Sequence, residues 1–98
     1  MAYTTSFRKR AAKEYLNALK WYKERSLQAA KNFVLAVSET LNKIEEQPDR
    51  FRIIHKSYHE VKIKKYPFRI VYFIDEKNKI IVVATLFHQK RNPERKFK

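Results

Sequence analysis

His88 closes an apolar run and is followed by Lys90 and Arg91 in LFHQKRNPERKFK, while Lys62, Lys64 and Arg69 punctuate an earlier stretch, EVKIKKYPFRIVYF. An imidazole changes charge near neutral pH and can carry a proton. Guanidinium and ammonium groups stabilise charge that develops on a phosphate. Together they are parts for a metal-free cleavage of RNA, which needs a base for the 2′-hydroxyl, an acid for the leaving oxygen and cations around the phosphorus. His88 and Arg69 are the candidate catalytic groups if the chain is a nuclease. Lys62, Lys64, Arg69, Lys90 and Arg91 are the candidates for gripping a phosphate or a target protein.

Each candidate has a plainer reading. Arg69 interrupts an otherwise apolar segment, where a cross-strand ion pair with Glu60 or Glu76 competes with phosphate binding. Lys62 and Lys64 can serve only to keep an outer strand from pairing with another molecule. A histidine at a strand end can simply hydrogen-bond a neighbouring loop. Gln89, directly after His88, cannot exchange protons at neutral pH, and Tyr66 or Tyr72 contributes a phenol only if it reaches the open sheet face. In so apolar a run Tyr72 is expected in the core with a satisfied hydroxyl. His55 and His59 are four apart but flank a loop and lack an obvious third ligand, so no metal site is expected. Glu45–Glu46 and Asp75–Glu76 are sequence neighbours whose side chains diverge in regular structure, which argues against a carboxylate dyad.

Composition limits the rest. The chain has 98 residues, enough for a single domain spanning residues 1–98 around one core. It lacks cysteine, which excludes disulfides and thiolate metal sites, and it lacks glycine, which argues against phosphate-cradling loops, dinucleotide fingerprints and a nucleophile elbow. No cofactor is expected. No segment reads as a signal peptide or membrane span, so the expected location is cytoplasmic. The net charge of +13 calls for an anionic partner, either nucleic acid or an acidic polypeptide. That charge is segregated into residues 7–31, 50–69 and 88–98, while residues 32–49 are net acidic.

Periodicity supplies the elements that must position these groups. Residues 3–7 read as a short strand. Ala12, Tyr15, Leu16, Leu19 and Tyr22 share one face of a helix over residues 7–25, with lysines mostly elsewhere. Ser26 can cap a second helix whose Leu27, Ala30, Val34, Val37, Leu41 and Ile44 form a seam, making an antiparallel hairpin. Gln47-Pro48-Asp49 ends it. Residues 60–64 alternate, with Val61 and Ile63 on one side; residues 68–74 and 80–87 are apolar on both sides, as central strands are. Between them Asn78 is the expected left-handed turn residue. The expected fold is therefore α+β: a short N-terminal strand, an antiparallel helical hairpin and a three-stranded antiparallel β-meander, with helices on one face of the sheet.

The order of elements and the phrases KKYPFRIVYFID and VVATLFHQKRNPE resemble the RelE/ParE superfamily of bacterial type II toxins. Tyr66-Pro67-Phe68-Arg69, Val71-Tyr72 and Leu86 to Pro93 look more like its ParE branch. The resemblance implies a toxin neutralised by a cognate antitoxin, with an acidic segment as its contact, and the cationic first helix offers such a segment a landing site. RelE-like members cut mRNA in the ribosome; ParE-like members poison DNA gyrase. Several nucleolytic members place a tyrosine near the C-terminus, where Gln89 succeeds His88 here. The resemblance thus implies a gyrase inhibitor that acts by binding, with a ribosome-dependent endoribonuclease, or an inactive antitoxin-binding module, as alternatives.

Overall fold

The computed structural model describes residues 3–90. Its elements are β1 (Thr4–Phe7), α1 (Lys9–Arg25), α2 (Leu27–Glu46), β2 (Arg52–His55), β3 (Tyr58–Lys62), β4 (Phe68–Asp75) and β5 (Ile80–His88). The strands form one sheet in the order β1-β5-β4-β3-β2, and β1 alone runs parallel to its neighbour. The α+β layer and the helical hairpin are as expected. The meander is not: among the described residues four strands follow the hairpin, not three. The additional one, β2, is an edge strand with only Ile54 partly covered. A strand so exposed has no buried side to create an alternating pattern.

Ser26 alone joins the helices and serves both. Its N–H donates to Tyr22 O at 3.0 Å and closes α1, while its Oγ accepts the Ala29 N–H at 2.9 Å and opens α2. The buried stripe keeps much of the expected seam, with Ala30, Val37 and Ile44 buried and Tyr15, Leu19, Tyr22 and Leu41 packed against the core, and departs from it at the margins. Leu16 and Leu27 are 60% and 65% exposed, whereas Ala11, Ala18, Phe33 and Thr40 are buried. Small alanines let α1 lie close to β5, and the space this leaves is filled by rings around Phe33. Its centroid lies 4.8 Å from that of Tyr22, 5.3 Å from Tyr66 and 5.5 Å from Phe68.

β1 stops at Phe7, where the Arg8 N–H reaches Val83 O, but β5 continues to His88. Past Val83 the edge of β5 has no strand beside it among the described residues. Glu14 of α1 takes that place: Oε1 accepts the Leu86 N–H at 3.0 Å and the Thr85 hydroxyl at 2.7 Å, and Oε2 meets Arg10 Nε at 3.4 Å. A buried edge amide left without a partner would cost about 1–3 kcal/mol, so this carboxylate fixes α1 to the sheet.

The β4–β5 turn corrects another expectation. Lys79, at φ 57°, takes the left-handed position, and Asn78 instead donates its N–H and side-chain amide to the Asp75 carboxylate at 3.1 and 3.0 Å. Those bonds, the side-chain one first, hold the Asp75 carboxyl below its ordinary pKa.

Tyr72 is fully buried, and its hydroxyl donates to Pro48 O at 2.6 Å, tying β4 to the end of α2. Burial pushes this phenol far above the ordinary tyrosine range, with the Asp49 charge adding to the effect. Because the folded state holds the proton more tightly, stability from Tyr72 is complete below pH ~10 and declines as pH rises and the unfolded chain ionises. Tyr72→Phe is expected to lower stability at neutral pH by about 1–2 kcal/mol and to flatten the alkaline limb, as urea unfolding from pH 7 to 11 would show.

Candidate functional site

Alternation along β4 sorts the candidate residues between two faces. Phe68, Ile70 and Tyr72 join the core beneath the helices, so Arg69, Val71 and Phe73 take the second face. The β4–β5 register sets Phe68 opposite His88 and Arg69 opposite Phe87. His88 and Arg69 therefore stand on opposite sides of the sheet. The imidazole meets the Phe68 ring edge-on, 5.1 Å between centroids, and its Nδ1 accepts the Lys90 N–H at 3.2 Å. It borders a cleft of about 230 Å³ shared with Glu14, Asn17 and Trp21 of α1.

On the second face Arg69 is held by its own chain. Nε donates to Gln89 Oε1 at 3.1 Å, and Nη1 lies 3.5 Å from Glu60 Oε1. Arg52 Nη2 approaches the same oxygen at 3.8 Å. Glu60 is only 6% exposed, so its charge is poorly hydrated and needs these cations. The ion pair that competed with phosphate binding in the sequence is the arrangement present.

The remaining candidates divide further. Lys62, exposed at the end of β3, lies opposite Arg69 in the register. Lys64, beyond the strand, is exposed and borders a cleft against α2 that Lys62 also lines. Lys90 is exposed. Arg91 lies outside the described residues, as do Asn92, Pro93 and the basic tail of Arg95, Lys96 and Lys98. Neither phenol joins Arg69: Tyr72 is in the core, and the Tyr66 ring packs edge-on against Tyr22 at 5.6 Å on the helix side. His59 is buried and stacked on Tyr72 at 5.0 Å, with Nδ1 2.9 Å from Phe51 O, while His55 ends β2. Among the described residues no three His, Asp or Glu side chains converge. No described helix is long and apolar enough to cross a membrane.

Gln89 is the residue whose role the sequence did not reveal. It was legible only as a group unable to move protons; that it holds Arg69 depends on how β4 and β5 pair.

Solved structures share this arrangement of a helical hairpin over a mixed sheet. A chromosomal ParDE system from P. aeruginosa superposes with TM-score 0.72 at 11% identity, covering 88% of this chain and 95% of that one. An arginine-to-alanine double mutant of the E. coli toxin RelE, in its free state, gives 0.65 at 17%, covering 95% and 90%. The RelBE2 toxin–antitoxin complex from Mycobacterium tuberculosis gives 0.62 at 14%, covering 90% and 99%. These likenesses define the fold class, that of the RelE and ParE toxins. No curated protein matches the sequence significantly. The family model described as ParE toxin of type II toxin-antitoxin system, parDE, matches residues 6–93, and this chain belongs to that family.

Proposed function

We propose that this ParE-family toxin arrests growth in the cytoplasm by binding DNA gyrase and holding its cleaved-DNA state, and that a cognate antitoxin with an acidic segment neutralises it. One observation carries the choice of target. Arg69 is engaged by Glu60 and Gln89, and His88, the candidate proton carrier, is on the other side of the sheet. RNA cleavage requires a proton-transfer group and a phosphate-binding cation around one phosphodiester. A layer of β-sheet between the two supports recognition of a protein over chemistry on RNA. The basic second face, with Lys62, Arg69 and Arg52, fits an anionic surface of the target, and Lys64, Lys90 and Arg91 extend the candidate contact.

The test is to add the purified chain to gyrase on supercoiled DNA, and to express it alone in cells. Stabilised gyrase–DNA cleavage complexes with DNA-damage signalling are expected. In-frame mRNA cuts without those complexes would establish the ribosomal nuclease instead, and unimpaired growth an inactive binding module.

A further inference from the structure

A recess of about 180 Å³ opens between the end of α2 and the outer edge of β3. The pairing register leaves room for it: β2 lies beside β3 from Tyr58 to Glu60, so next to Val61 and Lys62 that edge has no strand among the described residues. Lys43 borders the recess from α2, Arg50 from the connection to β2, and Lys62 and Lys64 from the end of β3 and the turn beyond it, with Phe51 and Val61 as its apolar wall. Among the described residues no carboxylate lines it, and neither Arg69 nor His88 borders it. All four cations are exposed, and among the described residues none is in an ion pair, whereas Arg10, Arg52, Arg69 and Lys79 all are. The Arg50 guanidinium instead lies over the Phe51 ring, 5.6 Å from its centroid.

Like charges around one hollow repel one another, and its low-dielectric walls focus their field inward. An anion bound there relieves the repulsion. The dimensions select its kind. The adjoining recess, about 380 Å³, shares Thr40, Lys43 and Lys64 but adds Glu39, so a ligand extending along α2 would meet a carboxylate. A peptide helix, about 10 Å across with its side chains, does not enter so narrow a space. A nucleic-acid strand spaces its phosphates along a line, which suits a track of cations and not a ring. Two or three linked phosphates concentrate their charge in a compact body, and can accept from lysine and arginine donors on several sides at once. We infer that this recess binds a compact oligophosphate, either a free inorganic chain or the di- or triphosphate group of a nucleotide.

The probes are inorganic tripolyphosphate and ATP, titrated calorimetrically into the whole purified chain at about 0.15 M salt, where exposed charges are screened. Tripolyphosphate is expected to bind at least about tenfold more tightly than inorganic phosphate, which cannot reach all four cations, and to raise the melting temperature as it saturates. The triple variant Lys43→Gln, Arg50→Gln, Lys64→Gln is expected to weaken binding at least about tenfold, and the exposed Lys64→Gln alone a few-fold. Lys9→Gln, Lys13→Gln, Lys20→Gln on α1 removes the same charge elsewhere and is expected to weaken it by less than about threefold. Circular dichroism of each variant verifies folding. Equal affinities for the two probes assign the phosphate chain alone, whereas tighter binding of ATP that Phe51→Ala abolishes assigns a nucleotide with its base on that ring. Absence of tripolyphosphate binding, an equal loss in the α1 variant, or tighter binding of single-stranded DNA through the same residues overturns the inference. None of these measurements involves gyrase or growth, so the target reading can fail while the recess stands, and the reverse.

Discussion

His88→Ala is expected to leave growth arrest within a few-fold of the parent chain. General acid–base catalysis contributes about 100- to 10,000-fold, so a nuclease that moved protons through this imidazole would lose nearly all activity. Where His88 sits explains the modest expectation. Its ring rests edge-on against Phe68 on the helix side, and its Nδ1 takes the Lys90 N–H. Alanine removes an aromatic contact of about 0.5–1.5 kcal/mol and one hydrogen-bond acceptor at a partly exposed site, a loss the fold should survive. The companion variant Arg91→Ala tests the cationic contact and is expected to lose toxicity in the same inducible-expression assay, with cleavage complexes and mRNA ends scored side by side. Loss of arrest and of in-frame mRNA cuts in His88→Ala, with its melting temperature close to that of the parent, would restore the enzyme reading.

Local signals located most of the elements in the sequence. Pro48 ended the second helix, Ser26 capped it, and the apolar runs after Pro67 became β4 and β5, each paired along both edges within the sheet. What could not be read was whatever depends on how elements meet. The stripe of α1 departed from expectation at its margin, where alanines, not leucines, allow close approach to β5. The strand β2 was hidden by its exposure. Lys79, not Asn78, took the left-handed turn position because Asn78 was drawn to the Asp75 carboxylate. The candidate site suffered most. Arg69 and His88 were plausible partners by residue type, and their separation follows from a register in which His88 pairs with Phe68, one residue from Arg69. One step along a strand changes the face, and nothing local in the sequence fixes that step.

The same register makes Arg69→Ala the variant with the largest expected structural effect. Glu60 is buried, and removing Arg69 takes away the nearer of the two guanidinium groups at its Oε1, the well-exposed Arg52 lying at 3.8 Å. Removing one partner of a buried pair costs about 3–5 kcal/mol, and because the Arg69 side chain is 34% exposed the expected loss is about 2–4 kcal/mol. In a domain of this size that lowers the melting temperature by roughly 10–25 °C. Glu60→Gln should cost less, since Arg69 keeps Gln89 and some access to water. The paired replacement Arg69→Met, Glu60→Leu should recover most of the loss, because apolar groups of similar volume often replace a buried ion pair at little cost. If Arg69 instead served to grip phosphate, Arg69→Ala would abolish toxicity at an unchanged melting temperature, and the paired replacement would be as inert. Calorimetry of the three variants separates the cases: the expected pattern is a melting temperature that falls with Arg69→Ala and returns with the pair.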